Sequence, residues 1–201
     1  MFRDHQPIAA RWASSPQGFL EAGAFVLCTI RVPLERACSD FQAWRDHGDH
    51  APFWGWKAEA LGELERNASE RKARLDALYP DRDAMLQEVC SWRGFGLAKG
   101  GFLLQIAYGL SGCLDTHNLK VLGFNSETFR ISNKTWRAVP RIIERYHAAV
   151  DAAGGSEALW DTWCDGVAAM RPDVWSSGDA VSRAHALAIA GEDGEPTDCP
   201  F

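Results

Sequence analysis

The feature that most constrains the fold is a pair of glycines, Gly94 and Gly96, between two stretches with helical periodicity. Apolar residues recur at helical spacing over residues 85–92, and the same spacing returns over residues 97–108. Glycine has no Cβ and accepts left-handed backbone angles, so it permits a tight turn and a close approach of another backbone. The pattern therefore predicts two helices joined by a glycine hairpin, the arrangement called helix-hairpin-helix.

The hairpin and the segment after it both carry residues suited to chemistry. Glycines just before a helix leave free N–H groups at its N-terminus, which form an anion site suited to a phosphate. A short loop then leads to Asp115-Thr116-His117 at the start of the next helix. Aspartate is a preferred helix N-cap, so capping alone accounts for Asp115. An ionised carboxylate could also stabilise positive charge in a reaction, and both roles can hold together.

Residues 92–122 resemble the helix-hairpin-helix DNA glycosylases, the endonuclease III-like superfamily. In that family a Gly-hydrophobic-Gly hairpin binds a DNA backbone phosphate, and a catalytic aspartate follows about one helix and one loop later. The resemblance implies that Gly94 and Gly96 contact phosphate and that Asp115 is the catalytic carboxylate. It also implies two helical lobes flanking a groove, with the hairpin and Asp115 at its mouth.

The chain departs from the family pattern at several places. Arg93 stands where the family usually has proline, and Ala98 stands where members with lyase activity have lysine. The lysine comes one step later, at Lys99, and one step on a helix is about 100° of rotation. Only Cys164 and Cys199 lie beyond the motif, so the four-cysteine iron–sulfur loop of many members has no counterpart. We therefore expect base removal without lyase chemistry.

The distribution of charge favours nucleic acid as the partner, although the net charge of −6 does not. Residues 93–150 carry eight Lys or Arg against three acidic residues, a net charge of +5, and the rest of the chain carries −11. Local charge governs phosphate binding. The sequence thus predicts double-stranded DNA as the partner, with chance clustering of solvated arginines as the alternative. The expected nucleic-acid-binding residues are Gly94, Gly96, Lys99, Lys120, Arg137 and Arg141.

Two further segments could face DNA. Trp54 and Trp56 lie in an aromatic-rich entry to a helix, which is either a packing corner or a wall of a pocket for an extruded base. Arg31 lies in the break between the first two predicted helices, Thr29 to Val32, and the resemblance implies that this break lies against the minor groove. A solvated or capping arginine is the alternative at that position.

The remaining predictions concern architecture and compartment. No alternating strand pattern is present, so we expect an all-α fold with residues 1–190 as a single glycosylase-like domain and residues 191–201 as a flexible tail. No apolar run is long enough for a membrane span, and no leader is evident, so a cytoplasmic monomer is expected. No metal site is expected, because the six cysteines are spread singly. No cofactor is expected, with a monovalent cation at the hairpin as the alternative.

These patterns lead to two functional hypotheses. The first is a DNA base-processing enzyme of base-excision repair, a monofunctional DNA glycosylase that cleaves the N-glycosidic bond of a damaged or modified base with Asp115 as its carboxylate. The second is a DNA-binding protein that keeps the hairpin without the chemistry. The carboxylate favours the first, whereas the overall acidity and the missing lyase lysine keep the second open.

Overall fold

The computed structural model describes residues 12–125, 128–131 and 136–161, and within these ranges it contains helices, turns and loops but no β-strand. The predicted all-α class is confirmed for this part of the chain. The predicted tail, residues 191–201, lies outside the described residues. The helices are α1 (Pro16–Cys28), α2 (Leu34–His47), α3 (Trp56–Leu78), α4 (Arg82–Cys90), α5 (Leu97–Tyr108), α6 (Thr116–Val121) and α7 (Val139–Ala152), with a 3-10 helix at Trp136–Ala138.

Helix α1 is the centre of the packing. It contacts α2, α3 and α5, and most of its residues are buried, because its sequence is apolar on nearly every side. Phe19, Val26 and Leu27 are fully buried within one continuous core. Helices α2, α3 and α5 pack directly on α1. The buried residues of the N-terminal half and of the hairpin region belong to the same core.

Short-range sequence signals set the helix ends. The Ser15 hydroxyl accepts a hydrogen bond from the Gly18 N–H at 3.0 Å, with Pro16 in the first turn of α1. Asp81 Oδ1 accepts one from the Ala84 N–H at 3.0 Å and caps α4. Gly48 ends α2 in the left-handed conformation, with φ of 64°.

The two helices flanking the glycine pair, α4 and α5, pack against each other. Gly94 turns the chain between them with φ of 87°, a conformation that favours glycine. Phe95 is buried and its ring lies edge-on to Trp92, with the centroids 6.0 Å apart. Gly100 allows the close approach, because a Cβ there would lie 2.9 Å from Leu86 Cδ1. The hairpin is therefore anchored in the core rather than projecting from it.

The basic residues after the motif do not lie on one continuous helix. The 3-10 helix carries Arg137, and α7 begins at Val139-Pro140, since proline is tolerated in the first turn of a helix but not in its interior. Arg141 and Arg145 are exposed on α7, which packs against α4. Lys134 lies outside the described residues.

Candidate functional site

A cleft of about 870 Å³ is open to solvent between the turn that follows α1, the start of α5 and the segment around Asp115. Five separate parts of the chain form its walls. The turn after α1 supplies Thr29, Ile30 and Arg31, and the hairpin and α5 supply Gly96, Leu97, Ala98 and Lys99. The segment around Asp115 supplies Leu114, Asp115, Thr116 and Leu119; residues 129–131 supply Phe129, Arg130 and Ile131; and α7 supplies Tyr146.

Asp115 is the N-cap of the short helix α6 and lines this cleft. Its Oδ1 accepts a hydrogen bond from the Asn118 N–H at 3.0 Å, and its carbonyl accepts one from the Leu119 N–H at 2.8 Å. The side chain is partly buried. One carboxylate oxygen is therefore oriented by the helix while the residue still faces the cleft. The side chain of His117 is not among the described ones.

The two hairpin glycines face in different directions. A Cβ on Gly94 would lie 3.0 Å from Leu27 Cδ2 and 3.1 Å from Trp56 Cζ3, so Gly94 points into the core. Gly96 lines the cleft, and no heavy atom lies within 4 Å of the place where its Cβ would be. Gly96 is also the N-cap of α5 and offers no side chain to the first-turn N–H groups, which point toward the helix N-terminus. Of the pair, Gly96 is the one placed to meet a ligand.

Lys99 lines the same cleft as Asp115, together with Ala98. Its ammonium donates a hydrogen bond to Thr29 Oγ1 at 3.0 Å and lies 5.6 Å from the centre of the Phe102 ring. The Thr29 hydroxyl in turn donates to the Val26 carbonyl at 2.7 Å. Helical rotation by one residue turns the Cβ of Lys99 away from that of Ala98, but the long side chain brings its charge back to the cleft.

The charges of Lys99 and Asp115 both act on one buried thiol, that of Cys113. Burial raises the pKa of Cys113 to about 12; the charge of Lys99 opposes this rise and the charge of Asp115 adds to it. A cation and a carboxylate therefore both lie within electrostatic range of this thiol. A thiol with so high a pKa is protonated at neutral pH, so Cys113 is unsuited to act as a nucleophile.

Other predicted site residues lie elsewhere. Lys120 and Arg137 are exposed, and neither lines the cleft within the described residues. Arg141 lines a second depression of about 630 Å³ together with Asp81, Asp83 and Glu144. Three carboxylates share that depression with Arg141, so its surroundings are less favourable to phosphate than those of Lys99.

The two predicted base-pocket tryptophans are not among the described residues that line the cleft. Trp54 is 70% exposed, and Trp56 is partly buried beside Gly94. The aromatic residues of the cleft wall are Phe129 and Tyr146, and the Tyr146 side chain is fully buried beneath the surface. Both are far from the hairpin in sequence, and no periodic pattern around them distinguishes them from ordinary core residues.

Arg31 lies at the turn after α1 with φ of 58°, a backbone conformation that residues other than glycine rarely adopt. Its side chain is exposed at the cleft. Strained backbone conformations concentrate at functional sites, because the surrounding structure must hold them in place. Arg31 and Arg130 bring two further cations to the walls that also hold Lys99.

A Ser–His–Asp series links three parts of the chain; Ser111 and His147 are buried and Asp83 is exposed. His147 Nδ1 contacts Asp83 Oδ1, and His147 Nε2 lies 2.8 Å from Ser111 Oγ. The same series of residue types serves in serine hydrolases. Ser111 is only 2% exposed and lines neither described depression, so no substrate can reach its hydroxyl here. The series therefore joins α4, α7 and the loop before Asp115.

No group of three or more His, Cys, Asp or Glu within the described ranges could hold a metal ion. In the same part of the chain, no helix is both long and apolar enough to cross a membrane. Comparison of the chain with protein-family models, curated proteins and solved structures finds no match.

Proposed function

We propose that this protein is a DNA base-processing enzyme, a monofunctional glycosylase that cleaves the N-glycosidic bond of a damaged or modified base. The observation that carries the proposal is that Asp115 and the hairpin end of α5 line one cleft, although a whole helix and a loop separate them in sequence. The sequence resemblance alone gives their order along the chain. Their meeting in space supports a shared role.

The cations of the cleft suit a polyanionic ligand. Arg31, Lys99 and Arg130 line it, and Gly96 opens the N-terminus of α5 toward it. A DNA phosphate at Gly96 would meet first-turn N–H groups and the positive end of the helix. Because Gly96 leaves open space where a side chain would stand, the phosphate could approach the backbone closely. In this proposal the walls of the cleft correspond to two helical lobes flanking a groove.

The chemistry assigned to Asp115 is electrostatic. As the bond between base and sugar breaks, the base leaves with the electron pair and positive charge develops on the sugar. A fixed carboxylate nearby stabilises that charge, and it can also orient the water that adds to the sugar and accept its proton. The departing base takes up a proton from solvent. Capping α6 holds one oxygen of Asp115 in place, so the side chain need not be ordered during the reaction.

The extruded base requires an apolar or aromatic surface. Phe129 and Ile30 supply such surfaces in the cleft lining. The sequence-based assignment of Trp54 and Trp56 to the base pocket stays a prediction. For that assignment to hold, the exposed ring of Trp54, which is not part of the cleft lining, would have to contact the extruded base.

The alternative function is DNA binding without chemistry. It rests on the hydrogen bond from the Asn118 N–H, because capping α6 is sufficient reason for an aspartate at position 115. The two functions differ in one measurable property: only the enzyme requires the negative charge of Asp115.

The test compares Asp115→Asn with Asp81→Asn. Asp81 is a matched control, because its Oδ1 caps α4 with the same 3.0 Å hydrogen bond and lies outside the cleft lining. Both variants should lose similar stability, since both keep a side-chain oxygen for capping. Single-turnover release of free base is measured on duplexes carrying a panel of damaged and modified bases. Only Asp115→Asn should abolish release, while duplex binding is kept.

The same experiment distinguishes the alternative. If Asp115→Asn releases base at the wild-type rate, the residue is a helix cap only. If the wild-type protein binds duplex but releases no base from any duplex of the panel, the non-catalytic function is favoured.

A lyase activity is tested by trapping with borohydride. Because Lys99 Nζ is bonded to Thr29 in this cleft, and Ala98 stands where the family has its lysine, we expect no trapped adduct and an intact abasic strand. An adduct that disappears in Lys99→Ala would overturn this expectation and make Lys99 the nucleophile.

A further inference from the structure

The loop between α5 and α6, residues 109–115, has an unusual backbone. Gly109 and Ser111 both adopt left-handed angles, with φ of 67° and 62°. Ser111 is not a glycine, so its conformation must be held by its surroundings. Residues 111–114 are nevertheless buried, although loops normally run over the surface where water satisfies their polar groups. The buried backbone of this loop therefore requires hydrogen-bonding partners from the protein.

Side chains from three helices supply these partners. Gln105 of α5 accepts a hydrogen bond from the Cys113 N–H at 3.2 Å, and Asn118 of α6 donates one to the Cys113 carbonyl at 2.6 Å. His147 of α7 bonds the Ser111 hydroxyl. Each of these three side chains holds one group of the loop in the contacts just given.

Tyr146 of α7 holds two groups of the loop at once. Its hydroxyl accepts a hydrogen bond from the Leu114 N–H at 2.9 Å and donates one to the Gly112 carbonyl at 2.7 Å. The side chain is fully buried, and burial raises the pKa of Tyr146 well above its usual value. The hydroxyl therefore stays protonated and can keep donating to Gly112 across the working pH range.

The chain also makes room for these bonds. A Cβ on Gly101 would collide with the Gly112 carbonyl oxygen and would lie 2.7 Å from the Tyr146 hydroxyl oxygen. The absence of a side chain at Gly101 thus lets the loop and the Tyr146 hydroxyl pack directly on α5. The last backbone group that Tyr146 holds is the Leu114 amide, and Asp115 follows directly in the chain.

We infer that Tyr146 is a positioning residue for Asp115 and acts through the Leu114 amide. The catalytic consequence of this inference rests on the proposed function. Tyr146 acts through the loop rather than on DNA, because its side chain is fully buried. Loss of the hydroxyl leaves the Leu114 N–H and the Gly112 carbonyl without this partner. The loop then relaxes, and the Asp115 carboxylate no longer keeps one place in the cleft.

The test uses Tyr146→Phe, with Tyr108→Phe as a matched control. Tyr108 also donates a hydrogen bond from its hydroxyl, to Asp76 Oδ1 at 3.0 Å, but at the far end of α5 from Gly96. Misplacement of a reacting group by about 1 Å can cost on the order of 100-fold in rate. We therefore expect Tyr146→Phe to slow single-turnover base release by roughly 10- to 100-fold while the duplex Kd changes less than about twofold. Tyr108→Phe should change neither.

A rescue variant separates positioning from general loss of stability. 4-Aminophenylalanine at position 146 keeps a donor for Gly112 and a weaker acceptor for Leu114, so it should recover most of the lost rate. A wild-type rate in Tyr146→Phe, measured on a substrate that requires Asp115, would overturn the inference. A parallel loss of rate in Tyr108→Phe would overturn it too.

A second measurement needs no catalytic activity. Amide hydrogen exchange at Leu114 and Asn118 should be slow in the wild-type protein and faster in Tyr146→Phe, with no change in Tyr108→Phe. If no base release is found for any duplex, the proposed function fails and this measurement still decides the positioning role. Fast exchange at Leu114 in the wild-type protein would show that Tyr146 does not hold this amide, even if the phenylalanine variant does not fold.

Discussion

The two hairpin glycines should respond to alanine in opposite ways. Gly94 has φ of 87° and faces Leu27 and Trp56 at close distance, whereas Gly96 has φ of −96° and open space in front of it. A substitution of both glycines together would therefore mix a folding effect with a binding effect. Separate variants resolve the two, and the structure gives a magnitude for each.

For Gly94→Ala two costs add. Left-handed geometry costs a non-glycine residue roughly 1–2 kcal/mol, and a methyl group forced into a packed core costs typically about 1–3 kcal/mol. The free energy of unfolding should therefore drop by about 2–5 kcal/mol. For Gly96→Ala the weaker capping preference of alanine costs up to about 1 kcal/mol and the reduced entropy of the unfolded chain returns about 0.4–1 kcal/mol. Its stability should therefore stay close to that of the wild type.

Urea denaturation measures the free energy of unfolding of each variant, and fluorescence anisotropy with a labelled duplex measures its binding affinity. Gly96→Ala should fold normally but bind duplex at least about tenfold more weakly, because a hydrogen bond to a charged phosphate is worth about 1.5–3 kcal/mol. Gly62→Ala is the control, because Gly62 lies within α3, its Cβ would meet only the flexible end of Arg66, and alanine is the better helix former. A stable Gly96→Ala that binds duplex as tightly as the wild type would refute the phosphate role. A Gly94→Ala as stable as the wild type would refute the packing argument.

Two further predictions concern salt and pH. Each phosphate contact removed should reduce the slope of log Kd against log salt by about 1. Arg31→Gln should therefore flatten the salt dependence of duplex binding, and the double variant Arg137→Glu with Arg141→Glu should flatten it further. Unchanged slopes in all of these variants would exclude both the basic segment and the cleft as a DNA footprint. Burial lowers the pKa of His147 below its usual value of 6.5; Arg82 adds a smaller lowering, and Asp83 and Asp151 oppose the shift. The unfolded chain therefore binds more protons than the folded protein at mildly acidic pH. The His147 contribution to the free energy of unfolding should be fully present above about pH 6.5 and should fall as the pH drops toward the lower folded pKa. His147→Gln should flatten that decline in a series of urea denaturations at different pH, and an unchanged decline would assign it to other groups. Asp151 does not interfere in this range, because a hydrogen bond from Arg82 lowers its pKa from 3.8 and it titrates only at more acidic pH.

The features that the sequence predicts well are the local ones. Ser15 and Asp81 cap their helices, Gly48 ends α2, and the glycine pair turns the chain between α4 and α5, because each depends on a few consecutive residues. The order of hairpin and Asp115 along the chain is equally local.

The long-range features are not encoded in that way. Tyr146 reaches back to Leu114 across 32 positions, and no spacing rule links a tyrosine on one helix to an amide in another loop. Lys99 shows a different limit. Helical rotation fixes where its Cβ points, but the position of its ammonium depends on a four-carbon side chain and on Thr29, which lies in the turn after α1.

The buried thiol of Cys113 lies directly before Leu114 and Asp115, within the loop that Tyr146 holds. Because the thiol is buried and burial raises its pKa to about 12, we expect it to react with alkylating reagents only when the loop opens to solvent. Cys113 can therefore report on the loop that holds the proposed catalytic carboxylate. Alkylation of the Cys113 peptide, followed over time by mass spectrometry, measures the opening of that loop in the wild-type protein without a substitution. The same measurement in the presence of DNA shows whether a bound duplex closes it.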